Sequence, residues 1–197
     1  MKRSSKEILK MRIVLASKSP RRRELLGRIF DSFEIESREV DESLPEGVHP
    51  RDGVEILAVR KGEAVASYIP DALVISSDTL VELDGEPLGK PASREDAYKM
   101  LRKLSGKTHN VHTGVAVHYR GRVYSGVDSA AVTFHTISDE EIYEYIDTGE
   151  PMDKAGAYGI QGLGGRLVHE FVGDFDTIVG LSLPLTRRLY DMAVEAK

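Results

Sequence analysis

The sequence predicts an α/β fold, or an α+β fold with a mixed sheet, because segments with helical and strand periodicity interleave along the chain. Two short apolar runs have the length and composition of buried strands. Later segments alternate apolar and polar residues, as antiparallel strands of a meander do. The predicted strands are residues 13–16, 33–37, 72–75, 111–119, 123–125 and 127–134, with tight turns at Asp84–Gly85 and Arg120–Gly121.

Capping residues mark the predicted helix starts. Ser19 precedes a proline, which suits the first turn of a helix. Ser93 and Ser138 are each followed three positions later by an acidic residue, which is the pattern of a capping box. Apolar periodicity predicts further helices at residues 52–68 and after Pro184.

Composition indicates a folded protein and excludes several function classes. A chain of 197 residues fits one large domain or two small lobes, and residues 1–11 are predicted to be a polar N-terminal extension. No apolar run is long enough for a membrane helix. The absence of cysteine excludes disulfides, Cys-ligated zinc and thiol nucleophiles, and it fits a cytoplasmic protein. The net charge of −5 argues against a nucleic-acid partner.

Three motifs that suggest other functions are rejected. Gly106-Lys107-Thr108 lacks the earlier glycine and the preceding strand of a P-loop, and the glycines of residues 159–165 lack dinucleotide-binding spacing. His109 and His112 lie three positions apart at the start of a predicted strand, and this odd spacing is expected to place their side chains on opposite faces. They are therefore interpreted as surface and sheet histidines and not as a metal pair.

The first candidate binding segment surrounds Ser17 and Ser19. Three arginines, which include Arg21 and Arg22, follow in the first turn of a predicted helix, where the helix dipole disfavours cations. An anion bound by backbone N–H groups, serine hydroxyls and guanidinium groups would resolve this conflict. A solvated basic turn is the alternative.

Three further residues are candidates because of their placement. Lys61 has apolar neighbours on its own helical stripe, so it either extends to solvent or reaches a cleft and binds a substrate charge. Asp78 follows an apolar run and is predicted at a strand end, where an ionised carboxylate needs a cation or caps a turn. Lys90 lies between Gly89 and Pro91, so a stiff loop would present its ammonium group.

A long glycine-rich segment, residues 148–162, has the composition of a ligand-binding loop or of an ordinary connection. Gln161 within it could read a nucleobase edge, because an amide offers both a donor and an acceptor. Together, the cations and the carboxylates Asp41, Glu42 and Asp78 suit a metal-bound polyphosphate.

These segments resemble the Maf family of nucleoside triphosphate pyrophosphatases over residues 12–190. Several ordered motifs carry the resemblance, whereas no single one would. The matching stretches are residues 16–22, 40–42, Lys61, 77–79, 89–91, 104–106, 112–114 and 154–162.

The resemblance implies an elongated, two-lobed mixed β-sheet with flanking helices, in one domain at residues 12–197, similar to the inosine-triphosphate-pyrophosphatase fold group. It further implies a central cleft between the two lobes, a homodimer, and a divalent cation, Mg²⁺ or Mn²⁺. Asp78 would accept a proton and would bind the metal together with Glu42. The implied substrate-binding residues are Ser17, Ser19, Arg21, Arg22, Lys61, Thr79, Lys90 and Gln161.

Within the family, the loop around Gln161 resembles the branch that acts on dTTP and UTP and not the branch that acts on 7-methyl-GTP. The implied activity is hydrolysis to a monophosphate and pyrophosphate, as a house-cleaning enzyme that is also associated with cell-division arrest. The alternative is a non-enzymatic regulator of septum formation that acts through a protein partner and does not need Asp78.

Overall fold

The computed structural model describes residues 11–196, so the predicted extension at residues 1–11 lies outside the described residues except for Met11. The strands are β1 (Ile13–Leu15), β2 (Glu34–Ile35), β3 (Leu73–Leu83), β4 (Glu86–Leu88), β5 (Thr108–Tyr119), β6 (Arg122–Phe134) and β7 (Val168–Val172). The helices are α1 (Pro20–Gly27), α2 (Pro50–Ala66), α3 (Arg94–Leu104), α4 (Asp139–Asp147), α5 (Phe175–Val179) and α6 (Leu183–Glu195).

The strands form one seven-stranded mixed sheet in the order β2-β1-β3-β5-β6-β7, with β4 paired to β3. β1 is parallel to β2 and β3, whereas the other pairs are antiparallel. The predicted mixed α/β class is confirmed. Its division into two lobes around a cleft stays a prediction.

Local sequence signals account for most element boundaries. Ser19, Ser93 and Ser138 each cap a helix with the side chain, and Ser138 forms a complete capping box. Both predicted hairpin turns are present. Their central residues adopt positive φ, as such turns require: 54° at Asp84, 83° at Gly85, 52° at Arg120 and 73° at Gly121.

Two predicted boundaries are wrong. The strand predicted to end at residue 75 continues to Leu83, and the segments predicted as separate strands at 123–125 and 127–134 form the single strand β6. In β6 the intervening Gly126 packs closely beneath helix α6, where a Cβ would lie 3.2 Å from the Leu185 side chain. The glycine therefore marks a close contact and not a break in the strand.

Two hydrophobic clusters lie at opposite ends of the long strands. One includes Val81 of β3 and Val111 of β5, and the other includes Ile75 and Val115 of the same strands. Because alternate strand residues share a face, Ser77 lies on the face that carries both clusters. A polar layer thus separates the two cores along one face of the sheet.

Helix α2 covers the other face through glycine contacts. A Cβ on Gly114 of β5 would lie 2.3 Å from the Val54 carbonyl oxygen of α2. A Cβ on Gly62 of α2 would lie 2.4 Å from the His118 ring. The helix axis therefore approaches the sheet more closely than larger side chains would permit.

The two sheet histidines are buried, so the prediction that they are surface residues is wrong. His109 is 2% exposed, and its Nε2 lies 2.8 Å from the Tyr158 hydroxyl. His112 is 4% exposed and lies between Glu82 and Ser129. They have different neighbours, as expected for side chains on opposite faces of a strand.

No helix in residues 11–196 is both long enough and apolar enough to cross a membrane.

Burial of His109 predicts acid sensitivity of the fold. Burial lowers the pKa of His109 from 6.5 to about 4, so the unfolded chain binds this proton more tightly than the folded chain. The part of the unfolding free energy that depends on a neutral His109 is fully present above pH 6.5 and is lost as the pH falls to 4. Its full size is about 3 kcal/mol. We expect His109→Gln to reduce the slope of unfolding free energy against pH in urea titrations between pH 4.5 and 7.

The exposed His169→Gln variant is the control and should retain the wild-type slope. Equal slopes in wild type and His109→Gln would contradict this assignment.

Candidate active site

The candidate site lies along an edge of β3 that is open between β1 and β4. One edge of β3 pairs with β5 along most of the strand. On the other edge, β1 pairs with Leu73–Ile75 and β4 with Val81–Leu83, so no strand of residues 11–196 pairs with residues 76–80 there. β1 leads into residues 17–23, here called the arginine turn because three arginines follow its two serines, and β4 leads into residues 89–91. The order of the strands thus brings both segments towards Asp78.

Asp78 lies inside β3 and not at a strand end, because the polar residues of this stretch have hydrogen-bonding partners. The Ser76 hydroxyl donates to the Ala58 carbonyl at 2.7 Å, and the Ser77 hydroxyl donates to the Gly180 carbonyl at 2.9 Å. Buried polar groups with partners do not force a strand to end. The apolar pattern alone does not reveal these partners, which come from distant parts of the chain.

Lys61 joins two of the predicted site carboxylates. Its Nζ lies 2.5 Å from Asp78 Oδ1 and 2.8 Å from Glu42 Oε1. The Lys61 and Asp78 side chains are 20% and 11% exposed, respectively, whereas that of Glu42 is 62% exposed. The lysine therefore extends into the site and not simply to solvent, and it neutralises a largely buried carboxylate.

The acidic segment around Glu42 is anchored by the residue next to Lys61. Arg60 Nη1 donates to the backbone carbonyls of Asp41, at 3.1 Å, and Ser43, at 2.5 Å. These bonds hold the backbone on both sides of Glu42 against α2. The otherwise exposed Glu42 carboxylate is thereby kept within reach of Lys61.

Arg22 is held by two acceptors at the same edge. Its Nε donates to the Gly180 carbonyl at 2.9 Å, and its Nη2 donates to Thr79 Oγ1 at 3.1 Å. Burial lowers the pKa of Arg22, and the charge of Arg21 acts in the same direction, while the charge of Asp78 opposes them. Arginine nevertheless remains protonated, so the site contains a fixed, partly desolvated positive charge.

Ser17 and Ser19 shape the turn that precedes Arg21. Ser17 Oγ accepts from the Ser19 backbone N–H at 3.2 Å, and Ser19 Oγ accepts from the Arg22 N–H at 3.4 Å. A hydroxyl that accepts keeps its own hydrogen for donation. Ser19 can therefore cap α1, and both serines can still donate to an anion.

The glycine-rich loop is joined to the loop that carries Lys90. The Gly156 N–H donates to the Gly89 carbonyl at 3.0 Å. Gly156 has φ of 68°, and a Cβ there would lie 2.9 Å from Val81, so this position requires glycine. Lys90 and Gln161 are both exposed.

The same loop also lies near the arginine turn. A hydrogen bond from Lys154 lowers the pKa of Asp153, and the positive charge of Arg21 contributes in the same direction. Arg21 is therefore close enough to the glycine-rich loop for its charge to act on Asp153.

The electrostatics of Glu42 show that four segments of the chain converge. A hydrogen bond from Lys61 is the largest cause that lowers its pKa, and the charges of Lys90 and Arg22 add to the effect. Glu42 therefore remains ionised to a lower pH than an ordinary glutamate. The site combines a cluster of cations with two carboxylates.

Several residues at the site were not named as candidates from the sequence. Arg60 and Gly180 carried no recognisable signal, because their roles depend on backbone carbonyls and on distant contacts. Ser77 and Thr113 fall within the stretches that resemble the Maf family, but a hydroxyl in a strand does not indicate its partner.

The available donors fit a divalent cation that also binds a substrate. No group of three or more His, Asp or Glu side chains in the described part of the chain is arranged to hold a metal ion. Asp78 and Glu42 nevertheless approach the same ammonium group. Mg²⁺ is commonly bound by one or two carboxylates together with substrate phosphates, so this pair is a suitable partial set of ligands.

Comparison with known proteins decides the family. A family model described as "Maf-like protein" matches residues 12–193. The chain belongs to the Maf family. A curated relative from Moorella thermoacetica, described as "dTTP/UTP pyrophosphatase", is 51% identical to this Maf chain over 87% of the chain and 90% of the relative.

Two other relatives carry the same description. The protein from Bacillus velezensis is 47% identical over 90% of this Maf chain and 94% of its own length. The protein from Thermococcus onnurineus is also 47% identical, over 91% of this chain and 97% of its own. The solved structure of the Staphylococcus aureus Ham1 protein is 22% identical, with a TM-score of 0.46, over 93% of this chain and 94% of Ham1.

The Lys61 bridge predicts a measurable loss of stability when its charge is removed. In Lys61→Met, the largely buried Asp78 would lose its donor, and we expect the unfolding free energy to fall by about 2 kcal/mol. Urea unfolding at pH 7 measures this change.

Lys99→Met provides a matched control, since Lys99 forms an exposed i,i+4 pair with Glu95. The control should lose no more than about 0.5 kcal/mol. Equal losses for the two variants would show that the Lys61 bridge has no special importance for stability.

Proposed function

We propose that this Maf chain hydrolyses dTTP and UTP to the nucleoside monophosphate and pyrophosphate. The observation that carries the proposal is the convergence of Lys61, Asp78 and Glu42 beside Arg22 at the open edge of β3. Such a cluster provides positive charge for a polyphosphate and a carboxylate for a water molecule. The descriptions of the curated relatives support the choice of substrates.

In the proposed reaction, the oxygen of a water molecule attacks the α-phosphorus. A bond forms between that oxygen and the phosphorus, the bond from the α-phosphorus to the bridging oxygen breaks, and pyrophosphate leaves with its electron pair. Asp78 accepts the proton of the attacking water. Arg22, Lys61 and Lys90 stabilise the charge that develops on the pyrophosphate.

Ser17, Ser19 and Arg21 are proposed to bind the phosphates at the start of α1. The N-terminal N–H groups of a helix and two hydroxyl hydrogens favour an anion there. Thr79 lies in contact with Arg22, which supports its assignment to the substrate site.

Asp78 and Glu42 are proposed to bind Mg²⁺ or Mn²⁺ in the presence of substrate. When bound, such a cation lowers the pKa of coordinated water, which would compensate for the weak basicity of an ordinary aspartate. Lys61 would then hold both carboxylates in place before the substrate and the cation arrive.

The homodimer and the cytoplasmic location are also proposals. Phe171 and Val172 of β7, together with Phe175, are 42%, 72% and 37% exposed. Clustered exposed apolar residues beside a terminal strand favour association. The absence of cysteine is compatible with a reducing compartment.

Replacement of the proposed base provides the first functional test. Asp78→Asn retains the size of the side chain and an oxygen that can accept from Lys61, but it cannot take up the proton. We expect kcat for dTTP to fall about 10²- to 10⁴-fold, measured as pyrophosphate release with Mg²⁺, with Mn²⁺ and with chelator.

Asp84→Asn is the matched control, because Asp84 is exposed at a hairpin turn with φ of 54°, a conformation that asparagine also tolerates. It should keep wild-type activity. Near wild-type turnover in Asp78→Asn would reject the base assignment, and no release from any triphosphate by the wild type would reject the proposed function.

The proposed role of Gln161 predicts a change in selectivity. Gln161→Ala should lower kcat/KM for dTTP and UTP relative to other triphosphates by about tenfold, because one nucleobase contact is removed. Affinity for inorganic pyrophosphate should remain unchanged. An unaltered ranking of substrates would remove Gln161 from base recognition.

A further inference from the structure

A chain of two linked hydroxyl groups, of the half-buried Thr79 and the buried Thr113, lies behind Arg22. Thr79 Oγ1, which accepts from Arg22, lies 2.9 Å from Thr113 Oγ1 on the neighbouring strand β5. Thr113 Oγ1 lies 2.8 Å from the Thr177 carbonyl oxygen at α5. The chain therefore connects the guanidinium group to the interior of the protein through two side chains.

The direction of every hydrogen bond in this chain follows from the number of hydrogens. A threonine hydroxyl has one hydrogen, and Thr113 must donate it to Thr177 because a carbonyl can only accept. In its contact with Thr79, Thr113 is therefore the acceptor and Thr79 is the donor. In its contact with Arg22, Thr79 is then the acceptor. This agrees with the guanidinium group, which can only donate.

We propose that Thr113 is a positioning residue that orients Arg22 through Thr79. This inference rests on the proposed function, in which Arg22 binds the phosphates that become pyrophosphate. Thr113 itself is 0% exposed, so it acts on a bound anion only through the residues in front of it.

Two anchors are needed to fix the plane of a guanidinium group. The Gly180 carbonyl holds Nε of Arg22, and the hydroxyl chain holds Nη2. The Gly180 anchor is itself held, because its carbonyl also accepts from Ser77 Oγ. With only Nε bound, the guanidinium group can still rotate about that contact. With Nη2 also bound, its plane is fixed, and three of its five N–H groups remain for an anion.

The same chain determines what Thr79 can offer to a substrate. Its hydrogen is committed to Thr113, and one lone pair is committed to Arg22. Thr79 can therefore only accept another hydrogen bond and cannot donate to a phosphate oxygen. This restricts its contact to an N–H or O–H group of the substrate.

Thr113→Val tests the inference, because it keeps the β-branched shape but removes the hydroxyl. We expect the dissociation constant for inorganic pyrophosphate, measured by calorimetry, to rise about tenfold, which is the effect of losing one oriented charge-assisted contact. Thr113→Ser retains the hydroxyl and should bind within about twofold of the wild type. In Arg22→Ala, the further change Thr113→Val should have no additional effect.

The matched control is Thr108→Val. Thr108 of β5 and Thr133 of β6 form another threonine pair between strands, with their hydroxyl oxygens 2.9 Å apart, but Thr108 is exposed and lies at the far end of β5. This variant should not change pyrophosphate affinity. A merely structural role of Thr113 would instead weaken binding equally with and without Arg22, and that additive result would overturn the proposal.

An NMR measurement tests the same inference without any ligand. The Arg22 Nη2–H resonances, assigned by their absence in Arg22→Lys, should be protected from exchange in the wild type and in Thr113→Ser, and broadened in Thr113→Val. Thr113→Ala replaces the valine variant if that variant does not fold. An unchanged resonance in the folded variant would reject the proposal.

These readouts also separate the two proposals. A wild type that binds pyrophosphate but hydrolyses neither dTTP nor UTP would contradict the proposed function, while the binding cycle would still decide the role of Thr113. If the wild type hydrolyses dTTP, and Thr113→Val has the same pyrophosphate affinity and the same Arg22 resonance as the wild type, only the positioning role is contradicted.

Discussion

The contact of one ammonium group with two carboxylates is the interaction on which the site depends. Asp78 is largely buried on a central strand, and an ionised carboxylate there is costly without a cation. Lys61 supplies that cation from α2 and also holds Glu42. The close approach of α2 to the sheet, which Gly62 and Gly114 allow, brings the lysine within reach. Close packing between this helix and the sheet thus determines the geometry of the charges.

A polar layer in the middle of β3 has both a structural and a chemical consequence. Ser76, Ser77 and Thr79 each have partners on other elements, so the strand continues between two hydrophobic clusters without unsatisfied groups. Since β1 and β4 pair only with the ends of β3, this polar layer is also the part of the strand with an open edge. The sheet therefore places its most polar stretch where a ligand can approach.

The cations of the site differ in how firmly they are held. Arg22 is fixed by the Gly180 carbonyl and by the hydroxyl of Thr79, whereas Lys90 is exposed on a loop. A fixed guanidinium group favours one geometry of a phosphate, while an exposed lysine adapts to it. In a hydrolase for triphosphates, the fixed arginine would orient the leaving group, and the exposed lysine would adapt to the leaving group during its release.

Much of this protein was predictable from local patterns. The capping serines, the hairpin turns and the mixed sheet follow from spacing and turn chemistry, and ordered motifs indicated the residues of the candidate site. The continuation of β3 through Asp78 was not predictable, nor were the anchoring contacts of Arg60 and Thr113. Hydrogen bonds between residues far apart in sequence determine both features. Such bonds exist only once the strands and helices have packed, so no local pattern of apolar and polar residues encodes these bonds.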